Sequence, residues 1–362
     1  MRSKILILLL AFSPAIFAGG TGDKQKKTNK PPRNIILMIG DGMGTAQVYA
    51  ALTAKKGILN MARCPYSGFV KTNSANNYIT DSGAGATAYA TGQKTNNGYI
   101  SISTDGKVLP TILETAEKNG LATGLVVTCA ITHATPAAFI AHTPNRDKYE
   151  DIAKDFLRTD IDVFIGGGRN NFNHRADSLN LLDSLRKRGY KIAANLNDID
   201  IRNTPKLAAL LSPGHLPKES EGRGDMLSKA SAMALTILKR NKTGFFMMIE
   251  GSQIDWGGHD KNKDYVVSEA VDFDNAVGTV LDFAVKNGET LVIITADHET
   301  GGFGLTGGDL SKGTVEGSFI YGDHTGVMVP LFAFGPGADR FSGIQENTDV
   351  YKKMTELFGF TK

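Results

Sequence analysis

Two cysteines and one tryptophan are all that the 362 residues hold of either type. Two cysteines cannot build the disulfide framework that stabilises small secreted domains, so a chain of this length must bury a large apolar core instead. Cys129 closes an apolar run, the usual setting of a buried thiol. Charge of one sign is missing too: 40 Lys and Arg stand against 37 Asp and Glu, for a net charge of +3. Nucleic-acid binders normally carry a basic stripe or patch. The one dense basic run, Lys24–Lys30, has no aromatics and reads as a solvated spacer, so no nucleic-acid binding is expected. With 41% hydrophobic residues the chain is not disordered. After the N-terminus no apolar run is long enough to cross a bilayer.

Residues 1–18 read as a signal peptide, with Arg2 and Lys4 before the apolar Ile5–Phe17 and the small Ala18 at the cut. No cysteine follows to take a lipid, so no membrane anchor is expected and the mature protein should be periplasmic or secreted. Residues 19–33 are polar, with Gly and Pro, and form a linker. The folded unit then runs over 34–362, with no internal boundary.

Six apolar runs predict buried strands: Ile35–Ile39, Leu121–Thr128, Val163–Ile165, Phe245–Ile249, Leu291–Thr295 and Val329–Phe334. None alternates apolar with polar, so both faces should be covered. Helical patterns lie between them. Ala230, Met233, Ala234, Ile237 and Leu238 share one face, as do Val266, Ala270, Phe273, Val277, Val280, Leu281 and Ala284, with Asn287-Gly288 as a stop signal. The expectation is a single α/β domain, a central largely parallel sheet flanked by helices on both faces.

Ligand sites in such sheets lie beyond the carboxyl ends of the strands. Four of the predicted strands end in metal- or anion-binding residue types: Asp41; His133 and Thr135; Glu250; Asp297 and His298. Asp255 and His259, four apart, would share a helical face, and a carboxylate with an imidazole suits zinc. His324 lies in a loop. Any one of these could be a capping or solvated residue, but together they imply a shared multi-metal site. Gly40-Asp41-Gly42-Met43-Gly44 lacks the spacing of a dinucleotide-binding loop, and Asp41 would repel a pyrophosphate. Gly166-Gly167-Gly168 reads as a turn. Ser82 begins a short Ala-rich helix, whose N-terminus favours a phosphate or alkoxide, while Asp81 or Ser82 could equally be an ordinary N-cap. The Arg146 fork matches two phosphate oxygens.

The segments IGDGMG (39–44), TDSGAGATA (80–88), THATPAAFIAH (132–142) with Arg146, EGSQIDWGGHD (250–260), TADHETGG (295–302) and DHTG (323–326) together resemble the alkaline phosphatases. The resemblance implies hydrolysis of small phosphate monoesters through a phosphoserine on Ser82. It implies two Zn2+ ions, one held by Asp255, His259 and His324, the other by Asp41, Asp297 and His298. A third metal, usually Mg2+, would take Asp41, Thr135 and Glu250. Arg146 would clamp the phosphate and Asp81 orient it. His133 and Trp256 stand near the third metal and phosphate, where the best-known enteric bacterial pattern has Asp and Lys. Intervals 146–250 and 299–324 are short for the family and leave a homodimer or a monomer open. A phosphodiesterase or sulfatase of the same superfamily, or an exported metal-binding protein without turnover, are the competing readings.

Overall fold

The computed structural model describes residues 30–360. The expected signal peptide and all but the last residues of the expected linker lie outside them. Among the described residues fourteen strands occur in chain order: β1 Asn34–Gly40, β2 Tyr66–Lys71, β3 Ala122–Ala130, β4 Val163–Gly167, β5 Tyr190–Ala193, β6 Lys206–Leu210, β7 Phe245–Gly251, β8 Thr290–Thr295, β9 Glu299–Thr300, β10 Phe303–Asp309, β11 Thr314–Phe319, β12 His324–Thr325, β13 Val329–Phe334 and β14 Gly343–Glu346. Ten form one sheet in the order β14-β2-β13-β8-β1-β7-β3-β4-β6-β5. Its neighbours run parallel, except that β13 is antiparallel to both β8 and β2. β10 pairs with β11, and β9 with β12, as two small antiparallel pieces.

The six predicted runs correspond to β1, β3, β4, β7, β8 and β13. Every residue of β1, β3, β7 and β8 is buried, which explains why their sequences show no alternation. Helix Lys263–Asn287 buries all seven apolar residues of its predicted face. The Asn262 side chain caps its start, and Gly288, in the left-handed region at φ 72°, ends it. Helix Met226–Leu238 packs on β3, β4 and that long helix, with Met233 only half-buried.

β8, β1, β7 and β3 are consecutive neighbours, so their carboxyl ends meet at one edge. Ile39 pairs with both Glu250 and Thr295, and Val127 pairs with Glu250. Because β13 runs the other way, the chain reaches it from that same edge, and the loop before it delivers His324.

Candidate metal and phosphate site

Asp255 and His259 lie on the short helix Ile254–His259, one turn apart, as their spacing predicts. His259 Nε2 is 3.3 Å from Asp255 Oδ1, and His324 Nε2 is 3.5 Å from the same oxygen. β12 pairs His324 with Thr300 of β9, which holds the loop in place. Each ring donates its Nδ1–H to a backbone carbonyl, His259 to Gly322 at 3.0 Å and His324 to Thr80 at 2.9 Å. With both rings neutral, the Nε2 lone pairs would face each other at 3.2 Å, and a shared cation, a proton or a metal ion, removes that repulsion.

A second group forms where β1 and β8 end. His298 Nε2 is 3.2 Å from Asp297 Oδ2 and 3.5 Å from Asp41 Oδ1, and all three residues are fully buried. Gly42 N–H donates to Asp297 Oδ1 at 3.2 Å. Gly42 has φ 76°, and a Cβ there would lie 2.6 Å from Asp255 Cα, so only glycine lets the Asp41 loop approach the first group this closely. The Thr300 hydroxyl joins the two groups: it donates to Asp255 Oδ1 and so accepts from His298 Nδ1 at 3.2 Å. This fixes His298 with a bare Nε2, aimed at the carboxylates and at Ser82 Oγ, 3.2 Å away.

Ser82 is the first residue of helix Ser82–Thr91 and is buried. Asp81 is that helix's N-cap, accepting from Ala84 N–H at 2.9 Å through Oδ1. Its Oδ2 accepts from Arg146 Nη1 at 2.8 Å and from Gly98 N–H at 3.0 Å. Asp81 therefore caps the helix and pairs with Arg146 at the same time.

The third cluster is Glu250 with its neighbours. Ser252 Oγ donates to Glu250 Oε2 at 2.6 Å, and Thr135 Oγ1 donates to Asp41 Oδ2 at 3.3 Å. Trp256 stands edge-on to His133, ring centroids 6.0 Å apart, and to His215 at 4.8 Å.

Four carboxylates, those of Asp41, Glu250, Asp255 and Asp297, are thus buried beside one fixed cation, Arg146, which is already paired with Asp81. Burial and the neighbouring carboxylates hold Asp41 well above the usual range. For the same two reasons Glu250 is pushed up to about 7 and Asp297 to about 6. Burial works against the charge on Asp255 as well, but the hydrogen bonds from His259 and His324 outweigh it and hold this carboxyl well below its ordinary value. The Asp255 hydrogen bond raises His259 to about 9. Burial keeps His298 and His133 neutral, His133 down at about 3. Asp41 Oδ1, Asp297 Oδ2 and Glu250 Oε1 are buried with no hydrogen-bond partner. Orphaned oxygens, facing lone pairs and excess negative charge fit divalent cations.

All the sequence-predicted residues converge on this edge. Sequence reasoning missed Thr300, Glu299, Cys129 and His215. Glu299 Oε1 accepts from Gln47 Nε2 at 2.8 Å and from Phe303 N–H at 3.0 Å, tying the loops behind the site. Thr300 and Glu299 lie inside TADHETGG, so their place in the motif was the available signal. His215, from the loop after β6, had none.

The chain is similar in sequence and fold to known proteins. The alkaline phosphatase family model matches residues 32–318. The alkaline phosphatase of Escherichia coli is 32% identical, over 94% of this chain and 90% of its own length. The solved alkaline phosphatase of the Antarctic bacterium TAB5 is 40% identical, with TM-score 0.88, over 92% of this chain and 99% of its own. A solved variant of that enzyme, with a histidine changed to aspartate and Mg bound in its M3 site, is 39% identical with the same TM-score and coverage.

Proposed function

This chain belongs to the alkaline phosphatase family, and from that premise we propose that it hydrolyses phosphate monoesters through a phosphoserine on Ser82. The observation that carries the reading is the position of the Ser82 hydroxyl. It sits at a helix N-terminus, against His298 of a buried carboxylate–imidazole group, with Arg146 anchored by Asp81 alongside.

Asp255, His259 and His324 would hold one zinc ion, and Asp41, Asp297 and His298 a second. Glu250, Thr135 and Asp41 would hold a third cation; the TAB5 enzyme with a histidine changed to aspartate is solved with Mg in its M3 site. When bound, such ions lower the pKa of a hydroxyl and offset charge on the transferring phosphoryl group. Ser82 attacks phosphorus in line, and the leaving oxygen departs on the far side. The Arg146 fork holds two non-bridging oxygens, because phosphoryl transfer is mostly positioning and charge stabilisation. The free N–H groups of the Ser82 helix face the same anion. Water then cleaves the phosphoserine, and two inversions give retention at phosphorus. These residues grip only the phosphoryl group, so the alcohol part can vary.

Export through the 1–18 signal peptide to the periplasm or outside belongs to the same proposal. Among the described residues no helix is long and apolar enough to cross a membrane. The test is hydrolysis of p-nitrophenyl phosphate at alkaline pH by wild type and Ser82→Ala, each stripped with chelator and then reloaded with zinc and magnesium. Metal-dependent turnover that the variant loses by at least about a thousandfold is expected. Turnover only of diesters or sulfate esters, or zinc binding with no turnover, would overturn the proposal.

A further inference from the structure

Cys129 has no part in the mechanism above. Its thiol is fully buried and lies 3.4 Å from Glu250 Oε2. Cys129, His133 and Glu250 each offer a donor atom within 4.8 Å of the other two. β3 carries Cys129, the turn after it carries His133, and the adjacent β7 carries Glu250. Two of these groups are also unsatisfied: His133 Nδ1 and Glu250 Oε1 are buried with no hydrogen-bond partner. Cys129 is a free thiol.

We infer that Cys129 and His133 join Glu250 and Asp41 around the third cation, with Thr135 keeping its hydrogen bond to Asp41, which makes this position a sulfur–nitrogen–carboxylate site for a zinc-like ion (Zn2+, Co2+ or Cd2+) rather than Mg2+. The inference rests on the third-metal reading of Glu250. Magnesium demands octahedral oxygen ligation and sheds water reluctantly. Thiolate and imidazole select softer ions. In a tetrahedral site with bonds of about 2.0–2.3 Å, ligand atoms stand roughly 3.4–3.7 Å apart. The sulfur–oxygen separation falls in that range. The thiol hydrogen is shared between the Ala130 carbonyl at 3.2 Å and Glu250 Oε2 at 3.4 Å, and on binding the ion takes its place on sulfur. That proton goes to solvent, a metal–sulfur bond forms, and no electron changes hands.

The test loads the stripped full-length protein with Co2+, counts bound metal by mass spectrometry, and records thiolate-to-cobalt charge-transfer absorption in the near ultraviolet. The expected result is three Co2+ per chain with a charge-transfer band that excess Mg2+ does not abolish. Cys129→Ser should lose the band and weaken the site at least tenfold, about the least that even an outer ligand's partner contributes. Cys64→Ser should keep it. Three Co2+ per chain without a band, or a band that follows Cys64, overturns the inference while leaving the third-metal reading intact. Saturation at two Co2+ with no band overturns both. The wild-type spectrum decides, so a variant that fails to fold does not blunt the test.

Discussion

Stripping the metals should make stability fall as the pH rises from 7 to 9, and reloading them should remove that slope. In the metal-free fold Asp255 holds a proton on His259 up to about pH 9, whereas an unfolded histidine releases it near 6.5. Glu250, raised to about 7 by burial, also finishes losing its proton in this window. An unfolded chain has already ionised its carboxyls and deprotonated its histidines by pH 7. The native state therefore binds more protons than the unfolded one, and its stability must decline with pH. His298 and His133 are held low, so they oppose this only below about 6.5. The His259 proton alone, held over two pH units, is worth at most about 2.7 kcal/mol. The His259 side chain is 36% exposed, so screening reduces this to about 1–2 kcal/mol. Denaturant melts at pH 7, 8 and 9, on stripped and loaded protein, read the difference directly, and titrations common to both forms cancel. A stripped protein equally stable at pH 7 and 9, or a loaded one that declines as steeply, would refute the reasoning.

Arg146→Ala should raise the inhibition constant for inorganic phosphate by roughly 10–100-fold, from the 1.5–3 kcal/mol of charged hydrogen bonds. Competition assays against a chromogenic monoester measure it. Thr300→Val breaks the link between His298 and Asp255. Zinc affinity in equilibrium dialysis should drop by about 10–100-fold while the fold survives. His133→Asp with Trp256→Lys puts a carboxylate and a cation near the third position. Magnesium should then activate at lower concentration and phosphate should inhibit more tightly. A magnesium requirement and phosphate affinity that both stay unchanged would show that neither residue tunes the site.

The centre of the fold was legible because its strands are buried on both faces and read as unbroken apolar runs. The outer strands carry weaker marks. β2 alternates exposed and half-buried residues over its first four positions, β14 is exposed along half its length, and β5 spans only four residues. The site was legible for a related reason: parallel strands deliver their carboxyl-end residues to one edge, so Asp41, Glu250 and Asp297 could be gathered from strand ends alone. The antiparallel course of β13, which explains how His324 arrives, could not be read from its apolar run. Partners of the candidate ligands stayed hidden because a threonine beside a histidine has no distinctive pattern. Thr300 matters only through where its hydroxyl falls in space. Cys129 read as a buried thiol, which it is, but its proximity to Glu250 depends on the β3–β7 register.

The most direct measurement is to incubate the zinc-loaded protein with inorganic phosphate or a monoester, quench in acid, and map the phosphorylated residue by peptide mass spectrometry. The account predicts phosphate on Ser82 alone, absent after chelation and regained on reloading. Turnover with no phosphate on Ser82, or phosphate on another residue, would contradict it.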